Sequence, residues 1–155
     1  MNTSQQFIKN FDKLTIDFNN FFEMLSKKNY RSLIKNINIH QDHVFKTTFS
    51  VKDVHDHKFF IYLMQKMVDT YKLHNVKLDA DIYTSFLQGN TGTNHEDEYD
   101  VLLYNLHGET MYLVDKERFI LEPGDLLYIK KGQLHQSITL RPRITFSLGI
   151  REDYK

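Results

Sequence analysis

Cysteine is absent from the 155 residues. That excludes disulfides, thiolate zinc sites, iron–sulfur clusters and a cysteine nucleophile, so any metal must be held by His, Asp or Glu. A charge excess is missing too: 20 Lys and Arg offset 20 Asp and Glu. Neither a cationic field for nucleic acid nor a polybasic run for a lipid surface exists. No apolar stretch nears the ~18 residues that cross a bilayer. The start, MNTSQQFIKN, lacks the charged-then-apolar order of a signal peptide, which predicts a cytoplasmic protein with no nucleic-acid or membrane partner. Proline and glycine are scarce and late: two prolines, Pro123 and Pro142, and six glycines, none before Gly89.

What is present suits one domain over residues 1–155, with 41% hydrophobic residues to form a core. Phe7, Phe11, Leu14, Phe18, Phe21, Phe22 and Leu25 recur every three or four positions and predict an amphipathic helix. A second helix is predicted over Phe59 to Leu73, capped by Asp53 or Asp56. Between them, His43 to Val51 is β-branched and aromatic and reads as an edge strand. From residue 81 the pattern changes to seven short strands: Asp81–Leu87, Tyr99–Leu106, Thr110–Val114, Arg118–Leu121, Asp125–Ile129, Leu134–Leu140 and Arg143–Ile150. The breaks GNTG, HGE, DKE, EPGD, KKG and RPR leave no room for helical crossovers, so the strands form an antiparallel sandwich or barrel. Residues 1–80, mostly helical, would pack outside the barrel of residues 81–151.

Chemistry concentrates in two stretches, Gly89-NTGTN-His95-Glu96-Asp97-EYDVLLYNLH-Gly108 and Gly124-DLLYI-KK-Gly132-QL-His135. Residues two apart in a strand share a face, so His95 and Asp97 can point into a barrel lumen and His135 can join them from a later strand. Two imidazoles and a carboxylate with positions left open form the facial triad of non-haem Fe(II) oxygenases. The glycine and histidine spacing resembles the two motifs of the cupin superfamily, a jelly-roll β-barrel or double-stranded β-helix. Within it, HEDEYDVLLYNLHGETMYLV, GDLLYIKKGQLHQS and TFSLGIRE resemble the JmjC-type hydroxylases, in particular their bacterial and ribosomal-protein branch.

That resemblance implies an Fe(II)-dependent oxygenase using 2-oxoglutarate and O2 to hydroxylate or oxidise a small-molecule or amino-acid-like substrate, with His95, Asp97 and His135 as metal ligands. Where the family places Lys or Arg for the distal carboxylate of 2-oxoglutarate, fifteen residues after the first His, this chain has Thr110. Arg143, Arg141 or Arg118 would then supply the cation, and Asn105 stands where some relatives touch the co-substrate. Val101 replaces the fourth cupin ligand, and Lys130 replaces the proline of the second motif. Two further readings follow: a metal-dependent cupin dioxygenase, isomerase or lyase without 2-oxoglutarate, and a non-catalytic ligand-binding cupin that forms a homodimer through edge strands. Tyr83, Ser85, Tyr104, Tyr112, Phe146 and Ser147 alternate along the strands, and register decides which face inward.

Other histidines are weaker candidates. His55 and His57 would diverge by about 200° on a helix. His40 and His43 beside Asp42 read as a loop, and the acidic run Glu96, Asp97, Glu98, Asp100 lacks the central glycine of a calcium loop.

Overall fold

The computed structural model describes residues 6–27, 48–90 and 93–152. The elements are β1 (Phe7–Ile8), α1 (Phe18–Lys27), β2 (Thr48–Val51), a 3-10 turn (Val54–Asp56), α2 (Lys58–Tyr71), β3 (Val76–Ser85), β4 (Gly89–Asn90), β5 (Asp100–Val114), β6 (Glu117–Leu121), β7 (Leu126–Ile129) and β8 (His135–Glu152). One eight-stranded sheet runs β1-β7-β5-β8-β3-β2, with β4 added to β8 and β6 to β5, and every pairing is antiparallel.

The sheet is organised by the long β5/β8 ladder, which pairs from Asp100↔Ile150 to Val114↔His135. HGE and RPR, expected to be turns, are instead bulges within these strands, where the register shifts between Asn105 and Thr110. Gly108 adopts φ 71°, and a Cβ there would lie 1.8 Å from the Pro142 carbonyl oxygen. The two bulges therefore nest, and Pro142 sits where a ladder hydrogen bond is already lost. This bend brings the halves of the sheet face to face. Val101 and Leu103 from one half share an inner core with Tyr112, Val114, Leu121, Leu127 and Ile129. The opposite face, with Leu102, Tyr104, Leu106, Phe146 and Leu148, lies beneath α2. Burial on both sides explains the unbroken run VLLYNL. The architecture is the expected jelly-roll cupin type.

α2 lays Phe60, Leu63, Met67 and Tyr71 on that outer face, with Phe60 stacked on Phe146 at 5.4 Å. Each such side chain contributes about 1.5–3 kcal/mol on burial, and the same burial pushes the Tyr71 phenol up to about 12. The helix is capped by His57, whose Nδ1 accepts from the Phe59 N–H, rather than by Asp53 or Asp56. Asp53 instead stands in left-handed conformation before the 3-10 turn.

The first predicted helix is the main difference. Only Phe18–Lys27 is helical, opened by Asp17, whose Oδ1 accepts from the Asn20 N–H. Upstream, Phe7 and Ile8 pair with β7, Asn10 is left-handed, Asp12 and Ile16 donate to the Gly124 and Leu106 carbonyls, and Tyr104 Oη donates to that of Leu14. These backbone groups bond the barrel rather than each other, while Phe11 and Ile16 still reach the core. Helical periodicity was satisfied by an irregular strap. Of the predicted strand His43–Val51, Thr48–Val51 is observed; its start lies outside the described residues, as do His40, Asp42 and His43.

Candidate metal centre

His95, Asp97 and His135 converge, each offering one ligand atom, and these atoms lie within 4.8 Å of one another. His135 opens β8. His95 is not in a regular strand but in a single bridge that pairs it directly with His135: each N–H donates to the other's carbonyl, at 3.0 and 2.8 Å. Asp97 is tied to the same structure by its carbonyl, which accepts from the Gly132 N–H at 3.0 Å. The same-face arrangement of His95 and Asp97 thus comes from backbone bonds between the two motifs, not from strand pleat.

The tautomers follow from the acceptors. His95 Nδ1 lies 2.8 Å from the Thr93 carbonyl and His135 Nδ1 lies 2.9 Å from that of Gln133. A carbonyl only accepts, so each Nδ1 carries the hydrogen and each Nε2 presents a lone pair. These Nε2 atoms stand 3.9 Å (His95) and 3.5 Å (His135) from the two Asp97 carboxylate oxygens. Ligands at ~2.1 Å on one ion lie about 3.0–3.4 Å apart, so small side-chain rotations close the set. Three converging lone-pair donors repel unless a cation lies between them, and the donor chemistry fits a borderline divalent ion. His135 is buried and His95 half exposed, leaving one side open.

The donors line a cavity of about 310 Å³ with Tyr83, Tyr99, Val101, Leu103, Tyr112, Ser137, Arg143 and Ser147 among its walls. Arg143 reaches into it from β8 and is only 2% exposed. Its Nη1 donates to Tyr112 Oη at 2.9 Å, its Nε to Ser85 Oγ at 3.2 Å and its Nη2 to Ser137 Oγ at 3.5 Å. At the mouth, Lys52 bonds Asp81, and Arg151 bonds Asp79 while lying 4.3 Å over the Tyr99 ring. Burial lowers the Lys52 ammonium, but its bonds to Asp81 and Tyr83 outweigh this and hold it above its ordinary value. Tyr83 is pushed up by burial, and Tyr99 by burial and then by the Asp97 charge, so both phenols stay protonated.

Asn105 and Thr110 do not line this cavity. Asn105 is fully buried; its Nδ2 donates to the Gly108 and Leu121 carbonyls and its Oδ1 accepts from Thr145. It ties down the bulge. Thr110 faces Thr139 across the β5/β8 ladder, and both hydroxyls are buried without a partner. Arg141 is exposed and pairs with Glu109, and Arg118 lies on β6, so neither reaches the cavity. Of the alternating residues, Tyr83, Tyr112 and Ser147 face the lumen and Ser85 holds Arg143, whereas Tyr104 and Phe146 face α2. The sequence reading did not find Thr48, Ser50, Lys52, Asp79, Asp81 and Ser137 in the wall; the two-residue spacing of the first three was the available signal.

A family model described as JmjC domain matches residues 111–155. Among solved structures, the ribosomal oxygenase YcfD of Escherichia coli is 26% identical over 76% of this chain and 36% of its own, with a TM-score of 0.61. YcfD in complex with cobalt and 2-oxoglutarate gives 26%, 76%, 36% and 0.62. The conserved protein SPY1581 of Streptococcus pyogenes, of unknown function, shares the fold at 14% identity and a TM-score of 0.51, over 79% of this chain and 86% of its own. No curated protein matches the sequence. The chain spans little more than a third of the length of YcfD. In its antiparallel sheet and its paired glycine–histidine motifs this chain is similar to YcfD, and over residues 111–155 to the JmjC domain model.

Proposed function

We propose that the protein is an Fe(II)-dependent oxygenase that uses 2-oxoglutarate and O2. The observation that carries this reading is the convergence of His95, Asp97 and His135 in one cavity with a buried guanidinium, Arg143. YcfD, solved with cobalt and 2-oxoglutarate, supports both the metal and the co-substrate. His95, Asp97 and His135 would hold the iron, whose redox chemistry lets O2 oxidise and decarboxylate the 2-oxo acid, one oxygen atom going to succinate and one to the substrate.

The chain's own residues prepare that chemistry. The carbonyls of Thr93 and Gln133 fix both imidazoles as donors at Nε2. Arg143, buried in the wall of the same cavity, would meet the distal carboxylate of the co-substrate in place of a cation at position 110, and the hydroxyls of Tyr112, Ser85 and Ser137 are among the groups that orient it. The protonated Tyr83 and Tyr99 offer hydrogen bonds to a polar substrate. At about 310 Å³ the cavity lies at the lower end of ligand pockets. With a ten-heavy-atom co-substrate inside, it admits a small polar group: an amino-acid-like molecule or one side chain of a larger partner. That YcfD is a ribosomal oxygenase favours including a protein side chain in this class.

Anaerobic addition of Fe(II) and 2-oxoglutarate should produce a weak visible absorption band that needs both, and admission of O2 should then release succinate. Oxygen uptake or turnover independent of any 2-oxo acid would replace this reading with the metal-dependent cupin that chelates its own substrate.

A further inference from the structure

The turn joining β7 to β8 carries no proline, since Lys130 stands at that motif position. Proline would fix φ and remove an N–H that needs an acceptor. Here each backbone N–H of the turn is answered instead. That of Lys130 donates to Gln133 Oε1 (2.8 Å), that of Lys131 to Asp100 Oδ1 (2.8 Å), that of Gly132 to the Asp97 carbonyl (3.0 Å) and that of Gln133 to the Lys130 carbonyl (3.1 Å). The Leu134 N–H donates to Asp115 Oδ1 (3.1 Å) and that of His135 to the His95 carbonyl (2.8 Å). Gln133 is the hinge of the set. Its Oε1 closes the turn on Lys130, its Nε2 donates to Asp115 Oδ2 at 2.9 Å, and its carbonyl accepts from His135 Nδ1.

We infer that Gln133 and Asp115 are positioning residues for the metal centre, a hydrogen-bonded substitute for the missing proline that sets the His135 imidazole. The inference rests on the metal reading and deepens it. Asp115 reaches the turn from the β5–β6 hairpin, where it and Lys116 both adopt positive φ, and its own N–H donates to the Leu134 carbonyl. The Asp115 carboxylate thus accepts from the Leu134 N–H and the Gln133 side-chain amide while its backbone N–H donates to the Leu134 carbonyl, on either side of the carbonyl that orients His135. Lys130, Lys131 and Gly132 are exposed, so the turn has no hydrophobic burial to hold its shape. Its rigidity comes from these bonds.

The test is a rescue. Gln133→Ala should weaken Co(II) binding, titrated calorimetrically, by about tenfold, as outer-shell partners of metal ligands do, with the thermal midpoint unchanged. Lys130→Pro follows the end of a strand, where proline is tolerated. Combined with Gln133→Ala it should restore the Co(II) affinity to within about threefold of the parent. In metal-free protein, amide exchange at Lys131, Gly132 and Leu134 should quicken in the single variant and slow again in the double. Unchanged affinity and exchange in Gln133→Ala, or failure of Lys130→Pro to restore either, would overturn the inference. A parent chain that binds no Co(II) would instead overturn the metal reading, separably, because the exchange measurement needs no metal.

Discussion

Arg143→Met separates co-substrate binding from metal binding. The guanidinium is 2% exposed and held by the hydroxyls of Tyr112, Ser85 and Ser137, so methionine removes a charge and three aimed donors while filling similar length. A charge-assisted hydrogen bond to a carboxylate is worth about 1.5–3 kcal/mol, which corresponds to roughly ten- to hundredfold in the 2-oxoglutarate dissociation constant. Folding is followed by thermal melts, since the change also takes the guanidinium from its buried hydroxyl partners. The three candidate metal donors belong to other positions, so Co(II) should still bind, and the loss of 2-oxoglutarate affinity should exceed any loss of Co(II) affinity. Arg143→Lys should fall between, since an ammonium keeps the charge but cannot reproduce a fork bonded to three hydroxyls. The assay is titration of 2-oxoglutarate into Co(II)-loaded protein without O2. An unchanged 2-oxoglutarate affinity, or metal and co-substrate affinities lost in parallel, would refute the assignment of Arg143.

Other consequences are as direct. Gly108→Ala places a methyl 1.8 Å from the Pro142 carbonyl oxygen at φ 71°, and should cost several kcal/mol, at least ~3, in urea unfolding; a cost below ~1 kcal/mol would mean the nested bulges do not shape the barrel. Phe60→Ala removes the ring stacked on Phe146 and should cost about 3–5 kcal/mol with little change in metal affinity. Burial raises Asp12, but bonds from Lys66, the Leu14 N–H and Tyr62 outweigh it and hold the carboxyl below its ordinary 3.8. A depressed carboxyl stabilises above its unfolded value and loses that contribution as pH falls through the folded one. Stability should therefore drop below about pH 4, and Lys66→Met should lower it at neutral pH while making the acid limb shallower in thermal melts.

The legible parts of this molecule were those fixed by local chemistry. Strand content after residue 81 was readable because turn residues and β-branched runs alternate there, and the convergence of His95, Asp97 and His135 was readable because they stand at set spacings from the motif glycines. HGE and RPR misled because a glycine or proline marks a bulge as readily as a turn; only the pairing partner decides, and Gly108 and Pro142 are each other's partner. The segment from Phe7 to Ile16 misled for a related reason: apolar residues at helical spacing also suit a strap that bonds its backbone to Leu106 and Gly124. Arg143 was the cation preferred from the sequence, as the one on the strand after the second histidine motif, ahead of Arg141 and Arg118; its strand face puts it in the cavity wall and leaves them out. The role of Gln133 needed the turn itself, because nothing in the dipeptide Gln133-Leu134 announces an acceptor for Lys130.

The most direct test of the account is the iron content of protein reconstituted with Fe(II) under argon and freed of unbound metal, measured on the parent chain and on His95→Ala, Asp97→Ala and His135→Ala. The account predicts one ion per parent chain and loss of tight binding in each variant with the far-UV circular dichroism of the barrel unchanged. Stoichiometric iron retained by all three variants, or none bound by the parent, would contradict it.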